Sequence, residues 1–225
     1  MDTNIRQDAY DQIKYNIVHF HYLPRQKVSE KSIAASLNLG RTPVREALIR
    51  IEREGLIEVV PQSGTYIATI DMNIAKEGRF VRECIEPQVM MEALAKHSSA
   101  QFETLRQNLN AQKKAAKADQ TDLFFDLDQK FHQTFYQIAD RSQIWDWLQL
   151  NNLQLNRFRR LRLKVPGLDW QTLLAQHEQI IAAFNDYNID DLNYLIRSHL
   201  HLVLDEQQRV IERFPNYFSS NSQFA

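Results

Sequence analysis

The sequence predicts a mainly α chain in two parts: three short helices closed by a small β-hairpin, then an all-α bundle of about six helices. Three observations lead there. Apolar residues recur at helical spacing along most of the 225 residues. Only two β-type runs stand out, 56–60 and 65–70, and they flank a single turn signal, Pro61-Gln62-Ser63-Gly64. Glycine is scarce, with 5 residues, whereas Rossmann-type folds need it for their turns and phosphate loops.

In the first part, Tyr10, Ile13 and Ile17 give helix one its apolar stripe. Ser29 is placed to cap a second helix, in which Ile33, Ala34 and Leu37 share a face. Asn38-Leu39-Gly40 forms a tight turn. Thr42 then caps a third helix with Pro43 at its first position, where a missing N–H costs nothing. Ala47, Leu48 and Ile51 form its inner face and Gly55 ends it. Between about 71 and 77 the character turns from mixed to all-helical, which sets two domains, 1–72 and 73–225. The helical segments of the second are 74–97, 100–117, 121–139, 142–164, 168–186 and 189–213, joined by short connections as in a bundle. From about Pro215 the chain is polar and is expected to be poorly ordered.

Composition sets the class. Hydrophobic residues are 44% and charged residues 24%, ordinary for a globular protein. No run of about 18 apolar residues could span a bilayer. Residues 1–7 are polar and lack the apolar stretch of a signal peptide. The single cysteine, Cys84, excludes an internal disulfide framework and fits a reducing cytoplasm; it reads as a small buried residue. The net charge is −1, yet residues 25–53 hold seven basic side chains against three acidic ones. A local surplus of that kind suits phosphates, and also suits an ordinary solvated helix surface.

Helix, sharp turn, helix, followed by a hairpin, is the winged helix-turn-helix pattern. Its second helix presents its N-terminal end to base edges in the major groove, which places Arg41, Thr42 and Arg45 there. Lys31, at the start of the preceding helix, is placed to meet a phosphate, and Ser63-Gly64 at the hairpin tip forms the wing. The run Gly40-Arg41-Thr42-Pro43-Val44-Arg45-Glu46-Ala47-Leu48, then Glu54-Gly55-Leu56-Ile57 and Pro61-x-x-Gly64, closely resembles the GntR family of bacterial regulators. Leu23-Pro24-x-x-Lys27-Val28-Ser29-Glu30 matches more weakly, because family members usually carry glycines around that proline and this chain has His21 and Arg25. The resemblance implies that Arg41, Thr42 and Arg45 read bases of double-stranded operator DNA, while Lys31, Ser63 and Gly64 contact its backbone.

In the second part Asp128 and His132 are four apart and share a helix face with Phe124 and Phe135. His177 falls in the stripe of Trp170, Leu173, Leu174, Ile180, Ile181 and Phe184, and His199 in that of Leu192, Leu195 and Ile196. His201 falls on the opposite, solvated face. Three inward histidines and an aspartate could form a mononuclear site for zinc, nickel or manganese. Each histidine taken singly is equally a hydrogen-bonded core residue. The segments Asp128-x-x-x-His132, His177-x-x-Ile180-Ile181-x-Ala183 and Arg197-Ser198-His199-Leu200 resemble the FCD effector domain of the FadR subfamily. That resemblance implies a divalent metal held by Asp128, His132, His177 and His199, beside which a carboxylate effector binds. The small Gly-Asn turn of the family is Asp140-Arg141 here.

Arg82 sits where such domains present an arginine to the effector, although an i, i+4 ion pair with Glu86 explains it as well. Arg157, Arg159, Arg160, Arg162 and Lys164 read mostly as a solvated cationic face. The whole is expected to be a cytoplasmic, homodimeric regulator, most simply a repressor, released or engaged by a small molecule. A metal-dependent enzyme would need a second carboxylate as general base, and none stands out. A winged-helix adaptor for other proteins would need no arginines at the recognition-helix start.

Overall fold

The computed structural model describes residues 2–168 and 170–219. They form two compact units, one from the residues up to Asn73 together with those from Phe214 onward, the other Ile74–Arg213.

In the first unit, α1 (Asp2–Val18) buries Tyr10, Ile13 and Ile17, and the Tyr10 hydroxyl donates to Glu54 beyond the end of α3 at 2.6 Å. Helix α2 (Glu30–Leu37) opens on Ser29, whose hydroxyl accepts from the Ser32 N–H while Ser32 accepts from the Ser29 N–H, a reciprocal cap. It closes on Asn38 in the left-handed region, φ 53°, with the Leu39 N–H returning to the Ala34 carbonyl at 3.0 Å. Asparagine, not glycine, therefore makes the turn of the helix-turn-helix. Gly40 is extended and caps α3 (Arg41–Arg53) in place of Thr42, which lies inside the helix. Pro43 falls at the third helical position, still within the first turn where its N–H has no partner to lose. At the far end Gly55 takes φ 70°, and the N–H groups of Gly55 and Leu56 reach back to Glu52 and Ile51.

The predicted hairpin is β2 (Ile57–Val60) with β3 (Gly64–Ile67), and a third strand, β1 (Lys27–Val28), adds to the free edge of β3. Two residues are too few for periodicity to reveal. Arg25, where the family resemblance leads one to expect glycine, takes φ 66° and donates its N–H to Ile67. The C-terminal expectation needs correction: Pro215–Tyr217 forms a 3₁₀ turn, Tyr217 packs on Phe20, and buried Phe218 bridges Ile70. Two aromatic residues in a polar stretch suffice to anchor it. Residues after Arg213 thus leave the helical domain assigned to 73–225, and 220–225 lie outside the described residues.

The helical segments stand where the spacing put them: α4 (Met72–Lys96), α5 (Ser99–Lys117), α6 (Thr121–Ile138), α7 (Ser142–Asn151), α8 (Leu153–Arg162), α9 (Trp170–Asn185), α10 (Ile189–Asp205) and α11 (Gln207–Arg213). Two of the six expected segments carry a break, at Asn152 and at Glu206. The break at Asn152 meets α4 at Gly78, where an added Cβ would stand 2.4 Å from Asn152 Oδ1. Pro87 sits inside α4 and cannot donate to the Glu83 carbonyl one turn back; Arg197 of α10 donates to it at 3.2 Å. Asp140, in place of the family's glycine, takes φ 60° and pairs with Lys96. No helix among the described residues is long and apolar enough to cross a membrane.

Two further expectations are overturned. Cys84 is exposed, not buried. The arginines of α8 are not a solvated face: all ten residues of α8 are buried. Each arginine has a polar partner that its helix spacing could not show: Gln154 for Arg157, Asp128 for Arg159, Asp122 and Asp126 for Arg160, and Glu206 for Arg162.

Replacing a helix-interior glycine by alanine ordinarily stabilises by about 1 kcal/mol. At Gly78 we expect that gain to be largely cancelled, because the buried Asn152 amide must swing aside to admit the Cβ. Urea unfolding of Gly78→Ala decides between the two; the full gain in stability would show that α4 is not pressed against the α7–α8 break.

Candidate metal centre and DNA-facing surface

Helix α6 presents Asp128 and His132, α9 presents His177 and α10 presents His199. All four are buried, and one ligand atom from each lies within 4.8 Å of the other three. His177 Nε2 stands 3.3 Å from His199 Nε2 and 3.7 Å from Asp128 Oδ1.

The hydrogen bonds around the rings fix which nitrogens face inward. Glu86 Oε2 lies 2.8 Å from His132 Nδ1, and a carboxylate only accepts, so Nδ1 carries a proton, and in the neutral ring Nε2 carries the lone pair. That Nε2 is buried without a hydrogen-bond partner. For His177 the direction is set by a relay. Asn108 Nδ2 donates to the Leu127 carbonyl, Gln112 Nε2 donates to Asn108 Oδ1, and Gln112 Oε1 is left to accept from His177 Nδ1 at 2.8 Å. His199 Nδ1 likewise donates to Gln176 Oε1 at 2.9 Å. Three imidazole lone pairs and a carboxylate oxygen therefore converge on one point. Without a cation they repel; the donor set and its outer hydrogen bonds fit a divalent metal.

The electrostatics agree. Burial pushes His177 down from its usual 6.5 to about 3, opposed by the Asp128 charge, and burial also holds His199 well below the ordinary range. Burial works to raise the carboxyls of Asp128 and Glu86, but neighbouring cations outweigh it. Arg159 holds Asp128 below its usual value, and Arg82, with the hydrogen bond from His132 Nδ1, holds Glu86 at about 2. Asp128 gives Oδ2 to Arg159 and keeps Oδ1 toward the histidines.

On the first unit Lys31, Arg41, Thr42, Arg45 and Ser63 are exposed and Gly64 is partly so. Arg45 is held only by Glu30, at 3.7 Å on the surface, a pair of little net worth that a phosphate or base could displace. Ser63 is bonded to Tyr66 across the hairpin at 2.7 Å. Lys27 of β1 extends along the wing beside Gly64, an additional cation there that sequence reading did not place.

Residues 5–67 match the family of bacterial regulatory proteins, gntR family, and residues 79–202 match the FCD domain. The chain belongs to the GntR family. It is 32% identical over 215 residues to the HTH-type transcriptional repressor RspR of Escherichia coli (strain K12), covering 96% of this chain and 94% of that one. An HTH-type regulator in an unstable DNA locus of Streptomyces ambofaciens is 29% identical over 96% of this chain and 91% of its own. McbR/YncC of E. coli shares the fold, with a TM-score of 0.78 at 13% identity over 90% of this chain and 96% of that one. This GntR-family protein is thus a DNA-binding transcriptional regulator with a small-molecule effector domain, not an enzyme.

In the FCD domain a cleft adjoins the ligand group, and Asp128, His199 and Arg82 line it. The ion-pair reading of Arg82 holds, its Nε donating to Glu86 at 2.5 Å, while its Nη2 is buried without a partner. Sequence reasoning missed Glu86, Gln112 and Gln176 as orienting groups, because nothing in helical spacing marks a partner on another helix. Arg159 and Arg162 line the same cleft.

With His177 held near 3 in the fold and at its usual 6.5 when unfolded, the unfolded chain takes up the proton first. Stability present above pH 6.5 is therefore lost as pH falls, at up to about 1.4 kcal/mol per unit for each such histidine. Between pH 6.5 and 5.5, above the range where Asp128 and Glu86 exchange protons, metal-free protein should lose stability less steeply as His177→Gln than as wild type. Equal slopes in urea titrations would mean that His177 is not buried neutral.

Proposed function

We propose that this protein is a metal-dependent repressor of the FadR subfamily, acting as a homodimer in the cytoplasm and controlled by a carboxylate effector. The observation that carries the reading is the buried convergence of Asp128, His132, His177 and His199, with the lone pair of His132 Nε2 unanswered. A bound divalent ion, zinc, nickel or manganese, supplies positive charge and a coordination position for a carboxylate oxygen. The chain's own residues do the rest. Glu86, Gln112 and Gln176 hold the rings in the metal-binding tautomer, and Arg82 offers Nη2 to the effector.

In the other unit Arg41, Thr42 and Arg45 read base edges at the start of the recognition helix, with Lys31 and the Ser63–Gly64 wing on the backbone. Two copies reading a two-fold operator give the affinity that one module lacks. The repressor sign is supported by the name of the RspR relative. Effector binding need shift operator affinity by only about 1–3 kcal/mol to give a several-fold to hundredfold response.

Two measurements test this. Elemental analysis should find about one equivalent of divalent metal, lost in His177→Ala; protein that stays metal-free after reloading overturns the metal reading. In an electrophoretic shift on a duplex selected from a random pool by the wild type, Arg45→Ala should bind about tenfold or more weakly. Undiminished binding removes Arg45 from the reading surface.

A further inference from the structure

The cleft beside the metal ligands contains more cation than one carboxylate requires. Four of its lining residues are arginines, Arg79, Arg82, Arg159 and Arg162, with Asp128 and His199 at its inner end. Each arginine has one carboxylate: Glu83, Glu86, Asp128 and Glu206 respectively. Four positive and four negative charges cancel. Histidine binds metal in its neutral form and adds nothing, so a divalent ion leaves the cluster two charges positive. In a site this buried such an excess is costly unless a ligand cancels it.

The unanswered donors are in two places. Arg82 has one, Nη2. Arg162 has two, because only its Nε is engaged, by Glu206, while Nη1 and Nη2 are buried without partners. Its residue is 2% exposed, so water does not reach it freely. A guanidinium with both terminal nitrogens open presents the fork that an oxyanion accepts in two parallel bonds. Arg82 reaches the cleft from α4 and Arg162 from α8, and a carboxylate oxygen spent on the metal and Arg82 is not free to fill both terminal nitrogens of Arg162.

We propose that the effector bears two anionic groups and is a dianion in that sense: one carboxylate sits at the metal beside Arg82, and a second group, carboxylate or phosphate (the latter adding up to one further charge), is gripped by Arg162. This rests on the reading of the cleft as an effector site. It adds that Arg162 sets the preference for ligands with two anionic groups, in competition with Glu206 at the α10–α11 break.

The test is calorimetric titration of zinc-loaded full-length protein with three four-carbon probes, taken into the millimolar range: erythronate, tartrate and 4-phosphoerythronate. At least one dianion should bind about tenfold or more tightly than erythronate, as an added charged hydrogen-bonded pair implies. Arg162→Gln should abolish that preference and leave erythronate affinity and zinc content unchanged. Glu206→Gln, which frees Arg162, should raise dianion affinity, and this second variant keeps the test decisive if Arg162→Gln folds poorly by circular dichroism. Tartrate ahead of 4-phosphoerythronate assigns the second group as carboxylate, and the reverse as phosphate. Erythronate binding as tightly as both dianions, or a preference that survives Arg162→Gln, overturns the role of Arg162 alone. No binding of any probe to folded, zinc-loaded protein overturns the effector reading with it.

Discussion

The helical unit depends on one constraint, that a charge taken out of water must be answered by another. Arg159 on α8 and Asp128 on α6 answer each other in the core, and Asp128 is also one of the four converging ligand residues. Breaking a buried pair from one side costs about 3–5 kcal/mol, since the remaining charge has nowhere to go. The position of α8 is therefore tied to that of the ligand group. Arg160 and Arg162 extend the same rule to Asp122, Asp126 and Glu206, so a helix rich in arginine lies buried on every side.

Such pairs are a poor means of gaining stability, because hydrophobic residues of like volume often do as well or better. Their distribution here is better explained by what they surround. Glu86 answers Arg82 on one oxygen and orients His132 with the other. The Asn108–Gln112 relay runs from a backbone carbonyl of α6 through two side chains of α5 to set one proton on His177 of α9. A core needing only hydrogen-bonded histidines would not leave His132 Nε2 unanswered with two further lone pairs beside it.

What the sequence made legible follows from the range of its signals. Periodicity is local, so the helical stripes and the inward faces of His132, His177 and His199 could be read directly. The recognition helix could be placed to within a residue, yet its cap was misplaced: Thr42 has the right chemistry, but Gly40 is where the chain turns. Arg25 and Asp140, where the family resemblance leads one to expect glycine, both take left-handed backbone, a conformation that residue type alone does not reveal. The arginines of α8 and the second strand edge at Lys27–Val28 were illegible for one reason. Both are decided by partners far along the chain: Glu206 is 44 residues from Arg162, and Tyr66 of β3 pairs with Lys27.

The two units divide the physics between them. Arg41, Arg45 and Lys31, proposed to meet DNA, are exposed and held by at most weak surface pairs among the described residues, as suits groups that would trade water and counterions for phosphate. Arg82, Arg159 and Arg162 of the helical unit are buried and already paired with carboxylates, as suits the discrimination of small ligands proposed for them. The chain passes between the units twice, within α4 at Asn73–Ile74 and after α11 at Arg213–Phe214. The second passage follows directly on Glu206, the partner of Arg162, and ends in Tyr217 and Phe218 anchored in the first unit. A change in what Arg162 holds is thus made one short helix away from a segment that belongs to the DNA-reading unit.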